Sequence, residues 1–351
     1  MIINKRLKKL ILVLMSLIFI TGCGMSKTKS KAAEEKPQVI KIGVINVPND
    51  KQVAITQGFF DKSFKEKGIK TEFLFFDSGV AANQALASNS IDFAEMGYTN
   101  AVVALANDLP AKLIWIHEVL GSNEALVVRN GSNVENIKQL AGKKIATPFS
   151  STSHYSLLQA LNEAGLSEKD VTLLDMQTSE IVAAWSRGDI DAAYTWKPTL
   201  SELEKTGKVI IDSDDLAQKG YVTTNIELVN SHFAEKYPEL VVDYLSVLNE
   251  GVNFYLHDYP LAIKGMATKQ NLSYQEIDDQ VQGTTWLINY AQLSPDYLGN
   301  EKETGNFQKV FYDTAIFLKD QGSIKDVPTK EKIDSFIDKS YNLKINSIES
   351  N

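Results

Sequence analysis

"KKIATPFSSTSHYSLLQALNEAG", residues 143–165, carries three signals in a row. The apolar run "KKIATPF" reads as a strand. Four short hydroxyl residues follow, Ser150, Ser151, Thr152 and Ser153. Apolar residues then recur at helical spacing until Gly165, which stops the helix. Strand, polar turn and helix make a βα unit. The first turn of such a helix presents N–H groups with no partner inside the helix. The macrodipole places about half a positive charge there. Small hydroxyls let an anion come close and add donors. "FSSTSH" is therefore a candidate anion cradle made by Ser151, Thr152 and Ser153, with His154 as a further donor. An ordinary N-cap uses the same residue types, but one hydroxyl suffices for a cap.

Working outward, the same plan recurs. "VIKIGVINV" from Val39 is a strand, "QVAITQGFFDKSFKEKG" has helical spacing with a stop at Gly68, and "KTEFLFFDSG" is a second strand ending in turn residues. Downstream come "VTLLDM", "SEIVAAWSRG", "DIDAAYTW" and "LSELEKTG". Strands alternating with helices imply an α/β fold with largely parallel sheets. An internal echo implies two lobes. "ALASNSIDFAEMGYTNAVVAL" and "AAWSRGDIDAAYTWKPTLSEL" share helix end, polar turn, Ile-Asp, short strand and helix. After about Phe233 the spacing becomes helical throughout, which gives a helical C-terminal tail. Extended stretches at Gly121–Val128 and Tyr221–Val229 are the expected crossings between lobes. Lobe 1 is then residues 39–123 and 229–345, and lobe 2 is 124–228. Two crossings let lobes rotate and close on a ligand.

The chain has 351 residues, 44% hydrophobic and 23% charged, enough for one or two sizeable cores. Its first residues read as a targeting segment. A basic start, "MIINKRLKK", precedes "LILVLMSLIFI", an apolar core of eleven residues, where a bilayer span needs ~20. "ITGC" then resembles a bacterial lipobox ending at Cys23, with 1–22 as signal peptide and 23–38 as a flexible tether. The expected location is the cell membrane, lipid-anchored on the extracytoplasmic face. An ordinary signal peptide with a chance cysteine is the alternative. Cys23 is the one cysteine, so no disulfide forms within the chain. Loss of Lys5, Arg6, Lys8 and Lys9 with the segment takes the formal charge from −8 to −12. A negative body argues against nucleic-acid binding.

"FDSGVAANQALAS", "GSNEALVV", "PFSSTSHYSLLQAL", "IVAAWSRGDIDAAYTW" and "FLKDQGSI", in this order over about residues 39–325, resemble the taurine-binding proteins of ABC importers, within the wider group that binds alkanesulfonates. The resemblance implies a two-lobed periplasmic-binding-protein fold of type II. It also implies delivery of the ligand to a membrane permease driven by a separate ATPase. Taurine is a zwitterion with a sulfonate two carbons from an ammonium. The cradle suits the sulfonate, and the ammonium needs acceptors, helped by aromatic faces. Glu124 matches the family's "SEAL" acidic position and can pair with the amine; a hinge salt bridge is its other reading. Trp185 and Trp196 flank "RGDIDAAYTW", and Trp185 is the stronger candidate for a pocket wall.

The chain departs from the family in two places. Asn225, in "TTN", stands where the family carries an acidic residue in a "TLD"-like setting. Tyr98 and Thr99 occupy a turn where the family tends to have small serines; the tyrosine can cover the ligand or reshape the pocket. Asn46 and Asn49, after the first strand, are within reach of a cleft, although turn formation explains them more simply. An alkanesulfonate without an amine, or a nitrate-like or carboxylate anion, is the rival ligand class.

Enzyme motifs are missing from the sequence. "HEVLG" at 117–121 lacks the second histidine of a zinc-protease motif. There is no G-x-S-x-G elbow, no phosphate-binding P-loop, and no cluster with metal-ligand spacing. Asp189 and Asp191 read as turn and strand-edge residues. A binding role is expected, with no catalytic residue, cofactor or metal. A protein that binds only other proteins is the remaining rival.

Overall fold

The cleft-forming residues stand at the ends of strands from two sheets. The computed structural model describes residues 36–349. Cys23 and the signal segment lie outside the described residues. The strands are β1 (Val39–Ile45), β2 (Lys70–Phe76), β3 (Phe93–Gly97), β4 (Ala111–Leu120), β5 (Glu124–Arg129), β6 (Lys144–Thr147), β7 (Thr172–Asp175), β8 (Ala192–Trp196), β9 (Gly207–Asp212), β10 (Thr224–Asn230) and β11 (Thr284–Trp286). One sheet has the order β11-β4-β10-β3-β1-β2 and the other β7-β6-β8-β5-β9. We call them the first and second lobes; both belong to one unit, Pro37–Asn351.

The central strands of each sheet are buried on both faces, as their apolar residues require. On one face of the first sheet Phe93, Trp115 and Val229 pack under the helix Pro238–His257. On the other, Ile226 and Leu228 meet the helices Tyr98–Ala106 and Phe307–Asp320. The second sheet is sandwiched likewise, with Leu157 and Leu161 on one side and Ile181 and Trp185 on the other.

The sheets are mixed rather than largely parallel. β1, β2 and β3 run parallel, as do β6, β7 and β8. β10 runs against β3 and β4, and β5 against β8 and β9. The cause is the way the chain changes sheets. β5 and β10 each begin at the cleft, where β8 and β3 end, so Glu124 stands opposite Trp196 and Asn225 opposite Gly97. This brings strand carboxyl ends and helix N-termini to one crevice, the usual ligand position in open α/β sheets.

The passages are shorter than the extended stretches of the sequence. The first spans only 121–123, between β4 and β5, and the first sheet resumes at Thr224 rather than at 229. β10 pairs with β3 and β4 along nearly its whole length, which explains the extended character of 221–229.

The Ile-Asp echo has a concrete basis. Asp92 precedes β3, and its carboxylate accepts the Lys41 amide at 2.8 Å while its own amide donates to Lys41 O. Asp191 precedes β8 and does the same with Lys144, also at 2.8 Å for the carboxylate. Each aspartate pins the start of a central strand to its parallel neighbour. Asp189 pairs with Arg187 beside this turn.

Candidate functional site

Three helix N-termini meet in the crevice between the sheets. Ser78 caps Gly79–Ala87, Gly97 precedes Tyr98–Ala106, and Ser151 caps Thr152–Glu163. Gly79, Gly97, Asn100, Ser151 and Thr152 all line the cleft. Two glycines permit the approach. A Cβ on Gly79 would lie 2.3 Å from Asn100 Oδ1, and one on Gly97 would lie 2.8 Å from Thr152 Cγ2 in the other lobe. Ile45, Val47, Leu120 and Trp196 supply the apolar wall. The cavity is ≈ 30 Å³, room for about two waters, so a larger ligand enters only as the lobes part. The lobes are latched across this point: Thr99 Oγ1 and Asn100 Nδ2 both donate to Ser150 O at 3.0 Å.

Two hydroxyls of the Ser/Thr run, those of Thr152 and Ser153, serve a protein carboxylate. Glu124 is fully buried. Its Oε2 accepts from Thr152 at 2.5 Å and Ser153 at 2.8 Å. Its Oε1 accepts from Ser213 at 2.7 Å and from Ser156 and Thr223 at 3.4 Å. Burial holds the carboxyl above its ordinary range while the hydroxyl donors pull it down. The protons of Thr152 and Ser153 are thus committed to Glu124. What the helix end offers a ligand is its backbone N–H groups and dipole. Ser151 donates to Pro148 O at 2.5 Å and accepts from His154 N at 3.2 Å, an N-cap.

Asn225 stands at the cleft with Glu118 buried behind it. Asn225 lines the cleft, and its Nδ2 donates to Glu118 Oε1 at 2.6 Å. Asn225 pairs with Glu118 while Ile226 pairs with Ile116, so His117 is the extra residue of a β-bulge. Two successive side chains therefore face the same side, and behind Asn225 lies a buried ionic cluster. His117 bonds Asp50 at 2.5 Å and Glu227 at 2.8 Å. Lys51 meets Glu227 at 2.5 Å and Glu95 at 3.4 Å. Burial opposes charge on His117, but Asp50 and Glu227 outweigh it and raise the imidazole to about 10. Burial raises Glu118 to about 8, against the pull of His117.

The structure separates the expected residues into two groups. Glu124, Ser151, Thr152 and Asn225 line the cleft. Ser153 reaches it only through Glu124, and Thr99 serves the latch. The others stand elsewhere. Trp185 packs in the second lobe, with Nε1 donating to Thr206 at 2.9 Å and the Arg129 guanidinium 4.5 Å over its ring. Its helix, Thr178–Arg187, presents Ile181 and Ala184 to the same core. Trp196, at the end of β8, takes the wall position instead. Tyr98 is buried against Phe307 and Phe311 and bonds Thr314 at 3.0 Å, because the helix Phe307–Asp320 lies over its own. His154 stacks on Phe149 at 4.4 Å and accepts from Ser150 N at 3.3 Å. Burial lowers it to about 4, so it is a neutral packing residue. Asn46 is exposed, and Asn49 caps a helix and donates to Glu95 at 2.6 Å.

The sequence reading had not singled out Gly79, Gly97, Asn100, Asn123 or Glu118. Ser78-Gly79 ends the second predicted strand, and that cap signal was legible. Glu118 had no signal, because only the bulge turns it toward Asn225.

The NMT1/THI5-like family model matches residues 52–260. The chain belongs to that family. As a member, it is 35% identical over 271 residues to the taurine-binding periplasmic protein of Escherichia coli K12, covering 75% of this chain and 82% of that one. It is 28% identical to a putative aliphatic sulfonates-binding protein of Bacillus subtilis 168, covering 86% and 90%. Among solved structures it resembles the periplasmic aliphatic sulphonate binding protein SsuA of E. coli, with a TM-score of 0.69 at 20% identity over 85% and 92% of the two chains. That likeness carries the fold, a two-lobed periplasmic-binding-protein fold with a helical C-terminal region.

Proposed function

We propose that the cleft binds taurine and that the protein delivers it to an ABC permease powered by a separate ATPase. The observation that carries the reading is the convergence of three helix N-termini, Gly79–Ala87, Tyr98–Ala106 and Thr152–Glu163, on a cleft that is also lined by the Glu124 carboxyl. Helix N-termini favour the sulfonate. Glu124 and the Asn225–Glu118 pair supply acceptors and negative charge for the ammonium. The similarity to the taurine-binding periplasmic protein of E. coli supports the same choice. Ligand joins the lobes, and closure about the passages at 121–123 and between β9 and β10 changes the surface offered to the permease. The chain binds and releases its ligand unchanged; it is not an enzyme. Cys23 anchors it by lipid to the extracytoplasmic face of the membrane.

Titration calorimetry with taurine, ethanesulfonate and β-alanine tests the choice. Taurine is expected to bind tightest. Equal affinity for taurine and ethanesulfonate would rule out amine recognition. The second reading, an alkanesulfonate without an amine, is favoured by the uncharged Asn225 and by the similarity to the putative aliphatic sulfonates-binding protein of B. subtilis.

A further inference from the structure

We propose that Glu118 sets ligand specificity from behind Asn225, fixing its amide so that the cleft sees a carbonyl oxygen backed by negative charge. The inference rests on the taurine reading and names the group that selects the amine.

Glu118 is 2% exposed. Oε1 accepts from Asn225 Nδ2 at 2.6 Å, and Oε2 is buried without a partner. A buried carboxyl oxygen with no partner is costly and asks for an explanation. An amide has one donor end and one acceptor end. With Nδ2 held by Glu118, Asn225 keeps only its carbonyl oxygen for other partners. That oxygen cannot donate to a sulfonate, and it accepts well from an ammonium. The bulge at His117 makes the pairing possible, because a regular strand would turn Glu118 to the opposite face.

His117 is the chain neighbour of Glu118, Asp50 and Glu95 act on it from the helix after β1 and from β3, and Trp286 is its strand partner on β11. The His117 cation favours its ionised form; Glu95 and Asp50 oppose it. Among the described residues, no lysine or arginine lines the cleft. An arriving ammonium is then the group that tips Glu118 to the carboxylate. The proton leaves Oε2 for the buffer as the ligand binds, while Oε1 keeps the Asn225 bond.

The test is calorimetric titration of the full-length protein near neutral pH with taurine and ethanesulfonate, in two buffers of different ionisation enthalpy. Wild type is expected to release a proton with taurine and none with ethanesulfonate. Glu118→Gln is expected to lower taurine affinity about tenfold, the scale of one charge-assisted contact, and to abolish the release. Ethanesulfonate affinity should change less than about threefold. Glu118→Gln/Asn225→Asp should recover taurine, because it puts the charge at the cleft directly. Equal weakening of both ligands, or taurine binding by wild type with no proton release, would overturn the inference while leaving the taurine reading intact. The second outcome needs no variant to fold. Wild type that binds neither sulfonate would overturn both.

Discussion

Thr152 Oγ1 donates to Glu124 Oε2 at 2.5 Å, tying the first residue of the cleft helix to the first residue of the strand that enters the second lobe. Thr152→Val keeps the shape and drops this bond. A hydrogen bond to a charged acceptor contributes roughly 1.5–3 kcal/mol. Four other hydroxyls still hold Glu124, so the low end is expected, with a fall of a few degrees in the unfolding midpoint. Binding of taurine and ethanesulfonate should weaken together, because the helix end serves the sulfonate in both. Unchanged midpoint and affinities in a thermal scan and a titration would show that the bond does not organise the helix end.

Gly97 approaches Thr152 across the lobes, and its backbone, φ −63° and ψ 144°, accepts any residue. Gly97→Ala therefore leaves each lobe sound and obstructs closure, since the new Cβ meets Thr152 Cγ2 at 2.8 Å. Taurine affinity is expected to fall about tenfold with little change in stability. Thr152→Ser removes that methyl and keeps the hydroxyl for Glu124. The double variant should regain most of the loss, a coupling of roughly 1 kcal/mol or more in a double-mutant cycle. Strict additivity would contradict a closed form built on this contact.

Two histidines shape stability on opposite sides of neutrality. His117 is raised to about 10 in the fold, against an ordinary 6.5. Its contribution is complete below about 6.5 and is lost as pH rises through about 10. Its ring resonances should still show the imidazolium at pH 8. His154 is lowered by burial to about 4. The unfolded chain takes up its proton first, so stability is lost as pH falls from about 6.5 through about 4. His154→Gln should flatten this acid limb in unfolding midpoints measured from pH 4 to 7. An unaltered acid limb would contradict a buried neutral ring.

The architecture was legible because it follows from periodicity and punctuation. "VIKIGVINV", the Gly68 and Gly165 stops and the Ile-Asp echo each report a local backbone event. The structure supplies the reason for the echo in the reciprocal bonds of Asp92 with Lys41 and Asp191 with Lys144. The site was legible only in part. The Ser/Thr run marked a true helix start at the cleft, yet the side-chain protons of Thr152 and Ser153 go to Glu124, a residue far away in sequence. Trp185 and Trp196 flank one motif, and only the sheet geometry decides that the second lines the cleft. Glu118 depends on a one-residue bulge that no pattern in "AKLIWIHEVL" announces. Extended sequence alone does not say which sheet a strand joins, so the stretches 121–128 and 221–229 proved to be mostly strand, in β5 and β10.

A crystal structure of the taurine complex tests the central claim most directly. The sulfonate is expected against the first-turn amides of the helix Thr152–Glu163, among the helix ends at Gly79 and Gly97, with the amine turned toward the carbonyl oxygen of Asn225. A ligand bound outside this cleft, or lying in it with its amine at the helix ends, would contradict the account.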